Sequence, residues 1–221
     1  MSDSAVRTVD RLIASVAGVD TPAPADFQAR VRYQVRQDAM DAAYRIMLEQ
    51  GWPAVRMTAI AAAVGISRQT LYKEFGSKQE VGEALLIREA ERFITGIASD
   101  LDRYDDVPGA IEAAIRYTFQ HAAANPLLTA ILSGAHEGGD SLLPLVTIDA
   151  EPLITLAARV LAEHITHRDR DLDTEDVAAT ADALARLTVS HLLRPVGDRE
   201  TTVRRLSRLA CRNLGLEPGH G

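Results

Sequence analysis

Two glycines that lie eleven residues apart, Gly65 and Gly76, limit this part of the chain to very short helices. Glycine adopts positive φ without steric cost and therefore ends a helix abruptly. The apolar spacing predicts one helix over residues 59–64 and a second over residues 68–75, with Ser67 as the N-cap of the second. Two short helices joined by a tight turn are typical of the helix-turn-helix motif, whose second helix enters the major groove of DNA.

The rest of the chain shows the same helical periodicity. Longer helices are predicted over residues 36–50, 77–103, 108–124, 174–194 and 199–214, with a kinked helix over 141–167 and a short one over 127–132. No run of alternating β-branched residues marks a pair of strands. We therefore predict an all-α fold of about nine helices. The predicted domains are a mobile N-terminal extension over residues 1–35, a three-helix head over 36–82 and a larger helical domain over 83–221.

Composition excludes several classes of protein. Apolar residues make up 47% of the chain and charged residues 25%, which is typical of a folded globular protein rather than a disordered one. No stretch approaches the roughly 20 apolar residues that a membrane span needs. Cys211 is the single cysteine, which excludes an internal disulfide framework and argues against a thiolate metal site. We expect a cytoplasmic protein that does not insert into a membrane.

Positive charge is concentrated near the predicted motif. The chain carries a net charge of −7, but residues 30–78 carry +4 and the remaining residues −11. A basic head on an acidic body favours local contact with nucleic acid over indiscriminate coating of it. Arg30, Arg32 and Arg36, which precede the motif, are candidates to follow a minor groove or the DNA backbone.

The second short helix divides into a buried and an exposed side. Leu71 and Phe75 lie four residues apart and are predicted to be buried. The polar side chains that remain are predicted to face outward: Arg68, Gln69, Tyr72 and Lys73. Arginine and glutamine suit base edges, tyrosine and lysine suit phosphates and thymine methyl groups, and Ser67 directs its hydroxyl toward phosphate. The alternative is a packed three-helix head that makes no contact with DNA.

The DNA-binding head of the TetR family of transcriptional regulators is similar to one run of this chain, Thr58-Ala-Ile-Ala-Ala-Ala-Val-Gly-Ile-Ser-Arg-Gln-Thr-Leu-Tyr-Lys-Glu-Phe-Gly-Ser-Lys78. Thr70-Leu71-Tyr72, Phe75 and Lys78 stand at that family's characteristic places, and the similarity covers residues 36–86. The rest of the chain resembles the family in the number and order of its helices. Three segments resemble a group of actinobacterial members, some associated with fatty-acid or alkane metabolism: Asn125-Pro-Leu-Leu, Ser141-Leu-Leu-Pro-Leu and Ser190-His-Leu-Leu-Arg-Pro.

The resemblance implies a homodimeric regulator, most often a repressor, that binds a near-palindromic operator and is released when a small molecule enters the C-terminal domain. The implied DNA contacts are to phosphate from Thr58 and Lys78, to bases from Arg68 and Gln69, and to backbone or thymine from Thr70 and Tyr72. Glu74 departs from the family pattern. Phosphate would repel a carboxylate at this position unless the carboxylate faces cytosine N4 or pairs with an arginine.

The resemblance also implies a dimer interface, in which the last two helices of each copy form a four-helix bundle. The residues expected at its seam are Val177, Leu184, Thr188, Leu192, Val203, Leu206, Ala210 and Leu214. The alternative is that these residues only pack within one chain.

An inducer pocket is expected between the helices that start near residues 80, 107, 126 and 141. Its candidate lining residues are Phe93, Ile97, Tyr117, His121, Leu128, Ile131, Leu132, Leu153 and Leu156. Their apolar excess predicts an elongated hydrophobic ligand, with Tyr117 or His121 as a polar anchor.

Two other functions are alternatives. An enzyme is disfavoured, because the chain has no Gly-rich phosphate loop, nucleophile elbow or zinc-protease motif. His164 and His167 share a helical face, but histidines at a helix C-terminus more often complement the helix dipole than bind a metal. We therefore expect no metal, cofactor or catalytic residue. The other alternative is a DNA-binding regulator without a small-molecule ligand, which a tightly packed body without a pocket would favour.

Overall fold

The structure, a computed structural model, describes residues 26–128 and 151–217. All regular secondary structure in these two ranges is helical, which confirms the predicted all-α fold. The elements are α1 (Phe27–Gln50), a 3-10 turn (Trp52–Ala54), α2 (Met57–Val64), α3 (Arg68–Phe75), α4 (Lys78–Leu101), α5 (Val107–Ala124), α6 (Glu151–Arg168), α7 (Thr174–Leu193) and α8 (Arg199–Asn213). Ile131, Leu132 and the first part of the predicted helix over 141–167 lie outside the described residues.

Helix α1 begins at Phe27 and not at residue 36, so the predicted extension over residues 1–35 overlaps a helix. Asp26 has extended backbone, and its carboxylate accepts a hydrogen bond from the Gln28 N–H at 3.4 Å, which caps the first turn. Three apolar side chains in this part of the helix are exposed, namely Phe27 at 68%, Val31 at 46% and Tyr33 at 55%. The sequence signal for a helix is a buried apolar stripe, and these residues do not form one.

The described residues divide into two compact units, one up to Glu89 and one from Ala90 onward. This boundary lies inside α4, whereas the sequence-based boundary follows residue 82. In the first unit, α1 packs against the 3-10 turn, α2 and α3. Its core includes Ile60, Leu71 and Phe75, each at most 3% exposed.

In the second unit, α6 packs along α7, and α8 packs against both α5 and α7. Arg116 links α5 to α8, because its guanidinium lies 2.5 Å from a carboxylate oxygen of Glu200 and also 2.5 Å from one of Glu112 on its own helix. Asn125 ends α5, and its side-chain oxygen accepts from the Leu127 N–H at 3.1 Å. None of the described helices is both long and apolar enough to cross a bilayer.

The residues expected at a dimer seam lie in the core of the single chain. All but one are at most 7% exposed, namely Val177, Leu184, Thr188, Val203, Leu206, Ala210 and Leu214. Leu192 is half-buried. In the part of the chain that the structure describes, these side chains are covered by their own chain, and the expected dimer seam stays a prediction.

Candidate nucleic-acid interface and ligand cavity

The turn between α2 and α3 has the geometry that its glycine predicts. Gly65 lies in the left-handed region with φ 76° and ψ 27°, and its N–H donates to the Ala61 carbonyl at 3.0 Å. Ser67 begins α3, because its hydroxyl oxygen accepts from the Thr70 N–H at 3.0 Å. The Ser67 and Thr70 hydroxyls lie 2.8 Å apart, and both residues are exposed. Hydroxyls at an exposed helix N-terminus are well placed to meet phosphate.

Helix α3 separates a buried side from an exposed side. Leu71 is fully buried and Phe75 is 3% exposed, as predicted. The side chains predicted to reach DNA are exposed, namely Thr58 on α2 and Arg68, Gln69, Thr70, Tyr72 and Lys73 on α3. Tyr72 is 45% exposed and is therefore not a core aromatic. The exposed side of α3 carries guanidinium, amide, phenol and ammonium groups, which suit base edges and phosphates.

Lys78 has a different setting from the other predicted DNA contacts. Its ammonium donates to the Trp52 carbonyl at 2.8 Å and lies 4.7 Å from the centre of the Trp52 ring. Burial and the positive charge of Arg56 lower the pKa of Lys78. Lys78 therefore ties the start of α4 to the 3-10 turn that follows α1.

Glu74 does not share the exposed setting of its neighbours on α3. Its side chain is 6% exposed, and its Oε1 accepts a hydrogen bond from Arg32 Nε of α1 at 3.0 Å. Arg36, one turn further along α1, donates to the Glu74 backbone carbonyl and places its guanidinium 4.2 Å from the centre of the Phe75 ring. Of the two settings left open by the sequence, the structure shows the ion pair with an arginine. The pairing of Arg32 with Glu74 spans 42 positions, and no local pattern marks it.

The second unit contains a cavity of about 50 Å³. Three predicted residues line it, namely Phe93, Ile97 and Leu153. Four predicted residues are not among its lining: Tyr117, His121, Leu128 and Leu156. Lining residues that were not predicted for a pocket are Ala114, Ile115, Thr118, Ile154, Ala157, Leu161, Leu184, Ala185, Thr188 and Val189. Residues of α7 were expected at a dimer seam or in internal packing and not in the pocket, so the contribution of this helix to the cavity was not predicted.

The cavity lining is apolar. Among the described residues that line it, the polar side chains are those of Thr118 and Thr188. Each hydroxyl donates at 2.8 Å to a carbonyl of its own helix, that of Ala114 for Thr118 and that of Leu184 for Thr188. Because these donors are already used, neither hydroxyl has a proton free for a molecule in the cavity, and the rest of the described lining is aliphatic apart from the Phe93 ring.

The two predicted polar anchors form an aromatic cluster with Phe93 instead. The Tyr117 hydroxyl oxygen lies 3.2 Å from His121 Nδ1, and the Phe93 ring lies 5.9 Å from the Tyr117 ring and 5.7 Å from the His121 ring. Burial, with the negative charge of Asp100, raises the pKa of Tyr117. The cluster therefore supports Phe93, which does line the cavity.

A helix-turn-helix head with a polar and basic recognition helix, followed by a helical body, defines a DNA-binding transcriptional regulator. Residues 39–85 match the family model for bacterial regulatory proteins of the tetR family, and residues 106–212 match that for the C-terminal domain of the bacterial tetracycline repressor. The chain belongs to the TetR family of bacterial transcriptional regulators. Members of this family are DNA-binding regulators and not enzymes.

The known proteins that this chain resembles support its place in this family. The HTH-type transcriptional regulator AlkX of Mycobacterium tuberculosis is 33% identical over 167 residues, which cover 74% of this chain and 77% of that protein. The TetR family repressor AlkX from Dietzia sp. strain DQ12-45-1b, implicated in biodegradation of n-alkanes, is 26% identical with a TM-score of 0.59, over 84% of this chain and 98% of its own. Thermus thermophilus FadR, solved in complex with lauroyl-CoA, shares the fold with a TM-score of 0.54 at 18% identity, over 84% of this chain and 99% of its own.

Proposed function

We propose that this protein is a repressor that binds a near-palindromic operator as a homodimer and leaves it when an uncharged, apolar molecule occupies the cavity of the second unit. The observation that carries the proposal is the cavity, whose described lining is apolar apart from two threonines that bond to their own helices. A body without a cavity would favour the alternative of a regulator without a ligand.

On the DNA side, the proposal has α3 enter the major groove. The proposed contacts are those expected from the sequence: Thr58, Ser67, Arg68, Gln69, Thr70, Tyr72, Lys73 and Lys78. Their exposure supports this assignment, with the exception of Lys78, which is half-buried. An ammonium has three donors, so Lys78 keeps two for phosphate while one binds the Trp52 carbonyl.

The class of ligand follows from the lining. A charged head group would have to remain outside the cavity, because burying an unpaired ion costs far more than apolar contact recovers. The cavity volume of about 50 Å³ is below the roughly 150 Å³ of an engineered cavity that accepts benzene, so a ligand must displace side chains on entry. The Dietzia repressor that this chain resembles is implicated in biodegradation of n-alkanes, which supports an apolar chain as the ligand.

Helix α4 is the proposed route between the two sites. In the second unit its Phe93 lines the cavity. In the first unit its Lys78 donates to the Trp52 carbonyl, and its Arg88 pairs with Asp41 of α1 at 2.8 Å. A ligand that displaces Phe93 would shift α4 and with it these contacts. The coupling is reciprocal, so operator DNA must lower the affinity for the ligand by the same factor by which the ligand lowers the affinity for DNA.

The homodimer is proposed to form through the outward faces of α7 and α8. Two large apolar side chains are exposed there, Leu209 on α8 at 55% and Leu193 at the end of α7 at 39%. Ala179 and Ala183 are also exposed on α7, and small side chains allow a second helix to approach closely.

The test uses the purified protein and a labelled duplex from the DNA that flanks its own gene, with unrelated DNA as competitor at several salt concentrations. Two probes matched in chain length, n-octane and octanoate, are then added to the complex. We expect n-octane to release the duplex and octanoate to have little effect. The control is Ala185→Phe, which fills the cavity and should keep DNA binding while it abolishes release.

Release by octanoate alone would contradict the proposed ligand class. Absence of release by either probe, together with a thermal-shift screen in which only charged and compact ligands stabilise the protein, would contradict an apolar inducer altogether. Loss of the complex with this duplex when unrelated competitor DNA is added would contradict an operator beside the gene.

A further inference from the structure

Two arginines on α1 hold the C-terminal end of the recognition helix α3. Arg32 and Arg36 lie one turn apart on α1 and both contact Glu74, which is the penultimate residue of α3. Arg32 Nε donates to the Glu74 carboxylate at 3.0 Å, while Arg36 donates to the Glu74 backbone carbonyl. The carbonyls of the last helical turn have no partner within their helix, so Arg36 satisfies one of them. One residue of α3 is thus held by both its side chain and its main chain.

The Glu74 carboxylate depends on Arg32. Its side chain is 6% exposed, and Oε2 is buried without a hydrogen-bond partner among the described residues, so Oε1 carries the contact with Arg32. Arg32 itself is 66% exposed. A buried carboxylate that loses its partner becomes an uncompensated charge, which favours movement of the helix that carries it.

The position of this pair matters because α3 is the helix that approaches DNA. A carboxylate near phosphates repels them unless a positive charge neutralises it. Arg32 supplies that charge from α1, at the end of α3 that lies opposite the Ser67 cap. The two ends of the recognition helix are therefore held in different ways, one by a local cap and the other by a contact from a different helix.

We propose that Arg32 is a positioning residue for DNA recognition: it neutralises Glu74 and holds the C-terminal end of α3 against α1, and so sets the angle at which α3 meets base edges without itself touching DNA. This inference rests on the proposed docking of α3 in the major groove. Helix α3 is still the element that enters the major groove, but its discrimination between DNA sequences also depends on Arg32, which lies 42 positions before Glu74.

The test begins with a duplex that the wild-type protein enriches from a random-sequence library. Affinity for this duplex and for an unrelated duplex is measured at several salt concentrations for wild type, Arg32→Gln, Glu74→Gln and the double variant. Arg45→Gln is the matched control, because Arg45 is an exposed arginine on the same helix that has no ion pair among the described residues and is not a predicted DNA contact. It reports the effect of losing one positive charge from α1.

We expect Arg32→Gln to weaken binding to the enriched duplex by about tenfold and binding to the unrelated duplex by no more than Arg45→Gln does. We expect the salt dependence of Arg32→Gln to match that of wild type. In the Glu74→Gln background, where no buried charge needs a partner, the effect of Arg32→Gln should fall to about twofold or less. Such non-additivity distinguishes positioning from a direct contact.

Three results would overturn the inference. An effect of Arg32→Gln that persists in the Glu74→Gln background, with a salt slope reduced by about one, would make Arg32 a phosphate contact. Equal loss of affinity at both duplexes, with a lower melting temperature, would make the pair merely structural. If Arg32→Gln unfolds, it is replaced by Arg32→Lys, which keeps the charge but not the Nε donor. No change in affinity for either duplex would make the pairing of Arg32 with Glu74 a surface ion pair without a role in DNA recognition. Failure of wild type to enrich any duplex would contradict the docking proposal instead.

Discussion

A β-carbon on Gly96 would lie 1.8 Å from the Tyr117 hydroxyl oxygen and 2.3 Å from the ring carbon that bears it. The tyrosine of α5 therefore lies directly on the bare backbone of α4, at a position where most helical residues would exclude it. Tyr117 also contacts His121, one turn along its own helix, and stacks on Phe93 of α4, which forms part of the cavity wall.

We expect Gly96→Ala to lower the free energy of unfolding by about 2 kcal/mol, because the Tyr117 ring must move out of a packed site. The same change at an unconstrained helical position stabilises by about 0.5–1 kcal/mol. Urea unfolding measures the difference. In a Tyr117→Ala background the clash is absent, so Gly96→Ala should there be neutral or stabilising; a cost that persists would show that the tyrosine is not its cause.

Tyr72→Ala should reduce operator affinity by about tenfold while the protein keeps its fold and oligomeric state, because Tyr72 is 45% exposed on α3. Fluorescence anisotropy and size-exclusion chromatography give the two readouts. Tyr104→Ala is the matched control, since Tyr104 is 42% exposed and lies outside the head. Unfolding or loss of a dimer in Tyr72→Ala would make the tyrosine structural.

Acidification should destabilise the protein through His164. Burial, followed by the positive charges of Arg168 and His167, lowers the pKa of His164 from 6.5, while Asp102 opposes them. Below about pH 6.5 the unfolded chain therefore binds a proton that the folded chain does not, and the free energy of unfolding falls as pH falls toward the folded pKa. Urea unfolding at several pH values should show a shallower decline for His164→Gln and a steeper one for Asp102→Asn. An unchanged decline in His164→Gln would assign the effect to other groups.

Replacing the two threonines that line the cavity should not weaken the binding of an apolar ligand. The Thr188 hydroxyl donates to the Leu184 carbonyl at 2.8 Å and the Thr118 hydroxyl to that of Ala114, so neither offers its proton to the cavity. We expect Thr118→Val and Thr188→Val to release the labelled duplex at the same or a lower n-octane concentration than wild type. A requirement for a higher concentration would indicate that a hydroxyl contacts the ligand.

Leu209→Glu should convert the proposed homodimer to a monomer, because a charge on the outward face of α8 would be buried against the second copy. Sedimentation velocity measures the change. Leu48→Glu is the control, since Leu48 is 50% exposed on α1 and lies in the head. A Leu209→Glu protein that remains dimeric would exclude this face of α8 from the interface.

The helix-turn-helix head could be predicted from the sequence because its signals are local. Gly65 ends α2 through its own backbone conformation, and Ser67 caps α3 through a hydrogen bond to Thr70, three residues away. The burial of Leu71 and Phe75 follows from helical spacing alone. Interactions within one turn depend on neighbouring residues, so a single sequence contains all the information that they need.

Contacts between elements that are distant in the sequence were decided only by the tertiary structure. An apolar stripe on α7 shows that one face is buried, but it does not show whether the cover is the same chain or a second copy. In the structure, Leu184 and Thr188 of α7 line the cavity of the second unit. The early start of α1 at Phe27 has no buried stripe to mark it. The pairing of Arg32 with Glu74 depends on how α1 packs against α3, because two charges separated by 42 positions meet only when the chain between them has folded.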